Sequence, residues 1–230
     1  MNKSFKYFAF VLALIVVDQI LKLWMHYVVL PQHFGNIDLI HNFFKLHYVT
    51  NKGMAFGMEL GGENGKLILT IFRIFATFGI GAYLYNQASK TPENNLLWAI
   101  AAILAGAIGN VIDSTFYGIL IEGNAPFDAP YKLFHGQVID MFYFYFLDGF
   151  WPEWVPIIGG NYHSTPIFNF ADACIFVGVA TILIFQKKFL EMKPLDNQNV
   201  MNITDDSIEI FDQNEEQIIN KNEENNDEDK

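Results

Sequence analysis

Two aspartates carry the clearest chemical potential in this 230-residue chain, Asp140 and Asp172. Asp140 lies in a short apolar strand pattern from Gln137 to Phe142, and Asp172 lies within two turns of the start of a long apolar run. Two carboxyl groups brought into one site cannot both ionise, so they share a proton. The ionised member can take a proton from water, and the protonated member can donate to a carbonyl oxygen. That combination hydrolyses a peptide bond without a side-chain nucleophile, a metal or a cofactor.

Other ionisable and amide groups interrupt the apolar stretches: Asp18, Lys22, Arg73, Asn110, Asp113 and Asn169. A charge in mid-bilayer costs about 2.5–3.5 kcal/mol on insertion scales, so each needs a reason. Asp18 and Lys22 stand at i,i+4 and can pair on one helix face. Gly106, Asn110 and Asp113 fall at i, i+4 and i+7, again one face, and Ala99, Ala102 and Gly106 form a small-residue stripe that lets helices approach. Asn169 and Asp172 are at i,i+3. Mutual satisfaction as interhelical glue accounts equally well for Asp18, Lys22 and Asn110.

The elements that must position these groups are four apolar spans, about 5–25, 66–87, 95–117 and 166–185. Each is long enough to cross a hydrocarbon core of about 30 Å as a helix. The first exceeds the usual apolar core of a cleaved signal peptide, and no small-x-small cleavage site follows it. Lys3, Lys6, Lys90, Lys187 and Lys188 flank the spans on one side, which the positive-inside rule makes cytoplasmic. Segments 26–65 and 118–165 then face outward, and the five ionisable groups within the spans, Asp18, Lys22, Arg73, Asp113 and Asp172, fall at one depth near the outer boundary. Residues 37–60 are rich in β-branched and aromatic residues, with Asn51, Gly53 and Gly57 as turn formers, and predict a strand-and-turn platform. Val138 to Trp154 is strongly aromatic and predicts a segment lying along the membrane surface. The expected fold is a mainly α membrane protein: a four-helix bundle with a small extracytoplasmic β platform and an interfacial aromatic segment.

The net charge of −11 is unevenly placed. Residues 191–230 carry 13 acidic and 3 basic side chains and predict an acidic, disordered cytoplasmic tail on a membrane domain spanning 1–190. No basic patch exists to meet nucleic acid. The single cysteine, Cys174, excludes an internal disulfide, and the six histidines show no zinc spacing.

Five segments carry a resemblance. They are Asp18-Gln19 with Lys22, Asn51 to Gly57, Gly106 to Asp113, Val138 to Asp140, and Phe168 to Asp172. In that order, on four spans, they resemble the lipoprotein signal peptidases, or signal peptidase II, over about residues 5–187. The resemblance implies an aspartic endopeptidase of the bacterial cytoplasmic membrane. Its substrates would be diacylglyceryl-modified prolipoproteins, cut on the amino side of the lipidated cysteine. It implies Asp140 and Asp172 as the catalytic pair, with Asn51, Gly106, Asn110, Asp113 and Asn169 lining or bracing the site. It also implies no metal and sensitivity to the cyclic peptide globomycin. A substrate confined with membrane lipids requires a site that opens sideways to the bilayer. The family usually carries Arg where this chain has Ser114, and an aromatic residue where it has Met141. The stretch between Asp113 and Asp140 looks long for the family, and so does Met141–Thr165. Arg73, at similar depth, is expected to supply the missing positive charge.

A small proton-coupled carrier would also place carboxylates inside a membrane. It would need polar groups spread along a conduction path, whereas these gather at one level. A non-enzymatic scaffold with a partner-binding tail is the third reading.

Overall fold

The structure, a computed structural model, describes residues 4–52, 65–90, 95–127 and 129–190. Gly53, the later part of the 37–60 platform and the acidic tail lie outside the described residues.

Among the described residues, four helices are long and apolar enough to cross a membrane: Phe5–His33, Gly65–Lys90, Asn95–Leu120 and Phe170–Lys187. The first comprises α1 (Phe5–Trp24), a π-helical turn (Met25–Val29) and α2 (Leu30–His33). It leaves the helix through Phe34 and Gly35, both at positive φ, a left-handed exit that suits glycine. The second is α3 (Gly65–Lys90). The third comprises α4 (Asn95–Ile112), a π-helical turn (Asp113–Tyr117) and α5 (Gly118–Leu120). The fourth, α6 (Phe170–Leu190), begins four residues later than the hydropathy suggests, because Asn169 caps it.

Helix α4 is central and packs against α6, α1 and α3. Its small residues permit backbone contact with α6. A Cβ on Gly106 would sit 2.2 Å from the Ala171 carbonyl oxygen, and one on Gly178 would sit 2.7 Å from that of Ala99. Large apolar side chains such as Leu12, Ile20, Phe72, Phe75, Phe78, Phe176 and Ile184 point outward, as on a lipid-facing surface. One core cluster, around Tyr7, Val11, Leu84, Leu97 and Leu104, fills one end of the bundle. A second, around Met25, Val29, Leu46, Tyr117, Ile139 and Met141, joins the other end to a sheet.

That sheet is antiparallel, ordered β1 (Asn36–Ile40), β2 (Phe44–Asn51) and β3 (Val138–Tyr143). The expected platform is therefore present in its described part, and β3 forms its third strand. Val138–Tyr143 is the paired strand expected to carry Asp140. Trp151 and Trp154 belong to a separate hairpin built on β4 (Gly149–Phe150) and β5 (Tyr162–His163).

The long connection before β3 is tied back to the end of α4. The π-helical turn frees two carbonyls, and Gly136 and Phe134 donate their N–H groups to Ser114 and Thr115, both at 3.0 Å. Gly136 must be small here, because a Cβ would meet the Asp113 carbonyl oxygen at 2.1 Å. Two residues later β3 begins, so the pinned connection aims the strand that carries Asp140.

Candidate active site

Asp140 is delivered by β3 and Asp172 by the first turn of α6. A backbone bridge joins the two elements. Phe142 donates to the Phe168 carbonyl at 2.7 Å, and Phe168 donates to the Phe142 carbonyl at 3.2 Å. The residue after Phe168 starts the helix. Asn169 is the N-cap: its Oδ1 accepts the Asp172 N–H at 2.9 Å, and Asp172 Oδ2 accepts the Asn169 N–H at 3.3 Å. This is a reciprocal capping box with aspartate in the third helical position.

The same Asn169 reaches the other carboxylate. Its Nδ2 donates to Asp140 Oδ1 at 2.7 Å. Asn51 Nδ2 donates to Asp140 Oδ2 at 3.0 Å. In the sheet Asn51 opposes Val138, so Asp140 is its diagonal neighbour, within reach of a side chain. Asn110 Nδ2 donates to Asp172 Oδ1 at 2.8 Å. Every oxygen of the two carboxyl groups thus accepts a hydrogen bond, and Asn169 touches both.

The two groups differ in surroundings. Asp140 is 3% exposed, while Asp172 is half-buried. Burial pushes the Asp140 carboxyl up to about 7, the nearby Asp172 pushes the same way, and the Asn51 and Asn169 amides oppose both.

Beneath this pair lies a buried ionic layer. Lys22 Nζ sits 2.8 Å from Asp18 Oδ2 and 2.6 Å from Asp113 Oδ2, with all three side chains sealed from solvent. It also donates to Asn110 Oδ1 at 3.1 Å. Gln19 Nε2 bridges Asp18 (3.1 Å) and Asp113 (2.9 Å), and Tyr117 donates to Gln19 Oε1 at 3.0 Å. Asp18 does a second job: its Oδ1 accepts the N–H of Ala171 in the first turn of α6. Helix α1 therefore caps α6 from the side. Gly109 must lack a side chain here, since a Cβ would lie 2.6 Å from Asp18 Oδ2.

Arg73 reaches over from α3. Its Nη1 donates to Ser114 Oγ at 3.4 Å, and its charge interacts with Asp172, Asp140 and Asp113. A cation from α3 thus occupies the neighbourhood of Ser114.

The structure therefore gathers Asp18, Lys22, Asn51, Arg73, Gly106, Asn110, Asp113, Asp140, Asn169 and Asp172 at one end of the bundle. Gln19 and Tyr117 were not among the expected site residues. Gln19 sits beside Asp18 in an otherwise apolar run, a signal that was available. Tyr117 gave none. Among the described residues, no group of three His, Cys, Asp or Glu side chains is placed to hold a metal ion.

Residues 10–188 match the family model described as Signal peptidase (SPase) II. The chain belongs to this family. It is 41% identical over 209 residues to a lipoprotein signal peptidase of Amoebophilus asiaticus, covering 90% of this chain and 88% of that one. It is 40% identical over 190 residues to one from Porphyromonas gingivalis, covering 76% and 80%. The fold is similar to that of a bacterial membrane enzyme solved by the in meso method, with a TM-score of 0.50 and 22% identity over 83% of this chain and 93% of that one. At that identity the likeness speaks for the fold. As a signal peptidase II family member the chain is a multi-pass membrane enzyme, a peptidase of the aspartic type.

Proposed function

We propose that Asp140 and Asp172 are the catalytic pair of this signal peptidase II family member. In our reading it removes signal peptides from diacylglyceryl-modified prolipoproteins by cutting on the amino side of the lipidated cysteine. The observation that carries the reading is the double engagement of Asn169: one amide side chain caps Asp172 and bonds Asp140.

The roles follow from the surroundings. Asp140, buried and bonded by two amides, keeps the shared proton near neutral pH. Asp172, half-open and facing Arg73, takes a proton from water. The water oxygen attacks the scissile carbonyl carbon while Asp140 gives its proton to the carbonyl oxygen. The resulting gem-diol collapses as its proton returns to Asp140. The proton held by Asp172 passes to the departing nitrogen, and the C–N bond breaks. No atom of the enzyme becomes bonded to substrate. Holding water and peptide in line supplies part of the acceleration.

Lysine placement supports both termini in the cytoplasm and the sheet end of the bundle at the outer face of the bacterial cytoplasmic membrane. The substrate then reaches the pair laterally, from among the membrane lipids. A globomycin-type cyclic peptide would compete for the same cleft. The carrier reading has less support: the buried charges lie at one end of the bundle, and the cluster around Tyr7, Val11 and Leu104 packs the other with apolar side chains.

The test uses purified protein in bilayers, a lipid-modified prolipoprotein and heavy-oxygen water. Cleavage beside the lipidated cysteine, with one heavy oxygen in the new signal-peptide carboxylate, is expected. Cleavage of the unlipidated precursor at equal rate contradicts the substrate assignment.

A further inference from the structure

An asparagine amide can turn its oxygen or its NH2 toward a neighbour, and a flip exchanges donor for acceptor. Around two carboxyl groups the direction matters, because an amide oxygen facing a carboxylate repels it. Two groups in this network have fixed polarity. One is the backbone N–H of Asp172. It donates to Asn169 Oδ1, which leaves Asn169 Nδ2 to face Asp140 Oδ1 at 2.7 Å and Asn110 Oδ1 at 3.2 Å. The other is the Lys22 ammonium, which can only donate. It is fully buried and lies 3.1 Å from Asn110 Oδ1. With its oxygen claimed by Lys22 and Asn169, Asn110 has only its NH2 left for Asp172.

Resting on the Asp140–Asp172 reading, we propose that Lys22 is a positioning residue that fixes the amide orientation of Asn110, so that Asp172 always meets a donor and stays ready to accept a proton from water. The ammonium bonds Asp18, Asp113 and Asn110, and it acts on Asp172 through Asn110. The two flanking carboxylates hold it as a cation in a place no water reaches. Among the described residues, the charged groups around Asp172 are Asp140 from β3 and Arg73 from α3. One layer below stand Lys22 and Asp18 from α1 and Asp113 from the end of α4.

The decisive variant is Asn110→Asp, which still offers Lys22 an oxygen but turns an acceptor toward Asp172. At pH 7.5 kcat should fall about 100-fold, the scale for losing one aligned donor in an active site. At pH 5 the introduced carboxyl gains a proton and donates again, so the deficit should shrink to about tenfold or less, with KM little changed. The alkaline limb of the pH profile therefore moves toward acid. A second variant, Lys22→Met with Asp113→Asn, removes one buried cation together with one buried anion. It should stay folded by circular dichroism while kcat at pH 7.5 falls about tenfold with KM little changed, because Asn169 alone then holds the Asn110 oxygen and the amide turns that oxygen toward Asp172 part of the time. An Asn110→Asp deficit of equal size at both pH values overturns the proposal, as does a folded double variant with the wild-type kcat. Asp140→Asn and Asp172→Asn run alongside. If they are inactive while the Asn110→Asp profile is unshifted, only the role of Lys22 falls. If they are active, the carboxylate pair falls, and the role of Lys22 with it.

Discussion

Asn169 and Asp172 cap each other: each side chain accepts the other's backbone N–H, at 2.9 and 3.3 Å. A residue that starts the helix thus also orients the carboxylate three positions on. The remaining hydrogens of that amide go to Asp140 and Asn110. Stability and catalysis therefore meet in one side chain and can be separated. Asn169→Ala should cost about 1–2 kcal/mol by thermal unfolding, the usual loss for an N-cap, and abolish cleavage. Asn169→Ser keeps a capping oxygen and should recover most of that stability. It lacks the NH2 that meets Asp140, so it should remain inactive. An active Asn169→Ser enzyme would mean that the amide bond to Asp140 is dispensable.

The raised proton affinity of Asp140 has a stability signature. Its carboxyl goes from an ordinary 3.8 to about 7 on folding. Below pH 4 both states hold the proton and nothing is lost. Between pH 4 and 7 the folded state holds more protons than the unfolded, so stability falls as pH rises. Relative to Asp140→Asn, the wild type should lose stability across that window, by up to about 4 kcal/mol, and the difference should be flat above pH 8. Chemical denaturation at several pH values measures it. A difference independent of pH would show that Asp140 is not held protonated in the fold.

The same proton serves catalysis, so kcat/KM for the free enzyme should fall as pH rises through about 7. A profile flat from pH 6 to 9 would deny Asp140 the donor role.

Close contact of α4 with α6 predicts an effect from one methyl group. Gly106→Ala places a Cβ 2.2 Å from the Ala171 carbonyl oxygen, and backbone cannot swing aside. The helices must separate, at about 1–3 kcal/mol, and the Asn110–Asp172 bond should lengthen with them. Cleavage should drop more than the melting temperature suggests. Equal activity in Gly106→Ala would show that the spacing of α4 and α6 is not critical.

Much of this was legible in the sequence, for physical reasons that differ by residue. Asp18 and Lys22 pair because i,i+4 spacing puts them on one face, and the bilayer leaves a lone charge no alternative. Asn110 and Asp113 follow from the same helical arithmetic. The strand carrying Asp140 was readable from its apolar pattern. Its pairing with Phe168 was not, because an isolated bridge has no periodicity. The start of α6 was placed too early: Pro166 to Phe168 are as apolar as a span, and only the Asn-x-x-Asp spacing marks the cap. The π-helical turn at Asp113–Tyr117 left no sequence signal. It exists because the returning segment at Phe134 and Gly136 supplies N–H groups to carbonyls far away in sequence.

Arg73 offers a charge-relocation test. Its guanidinium meets Ser114 and acts on both carboxyl groups. Arg73→Leu should lower kcat about tenfold to 100-fold while leaving the fold intact, the scale for a lost electrostatic contact in a low-dielectric site. Adding Ser114→Arg should restore part of the loss by returning a cation from the π-helical turn that follows α4. Full activity in Arg73→Leu would show that the site needs no cation there.

The most direct test compares the wild type with Asp140→Asn and Asp172→Asn in lipid bilayers, following release of the signal peptide from a lipid-modified prolipoprotein by mass spectrometry. Both variants should fold and release no peptide above the uncatalysed background. Wild-type rates from either variant would contradict the assignment of catalysis to these two carboxyl groups.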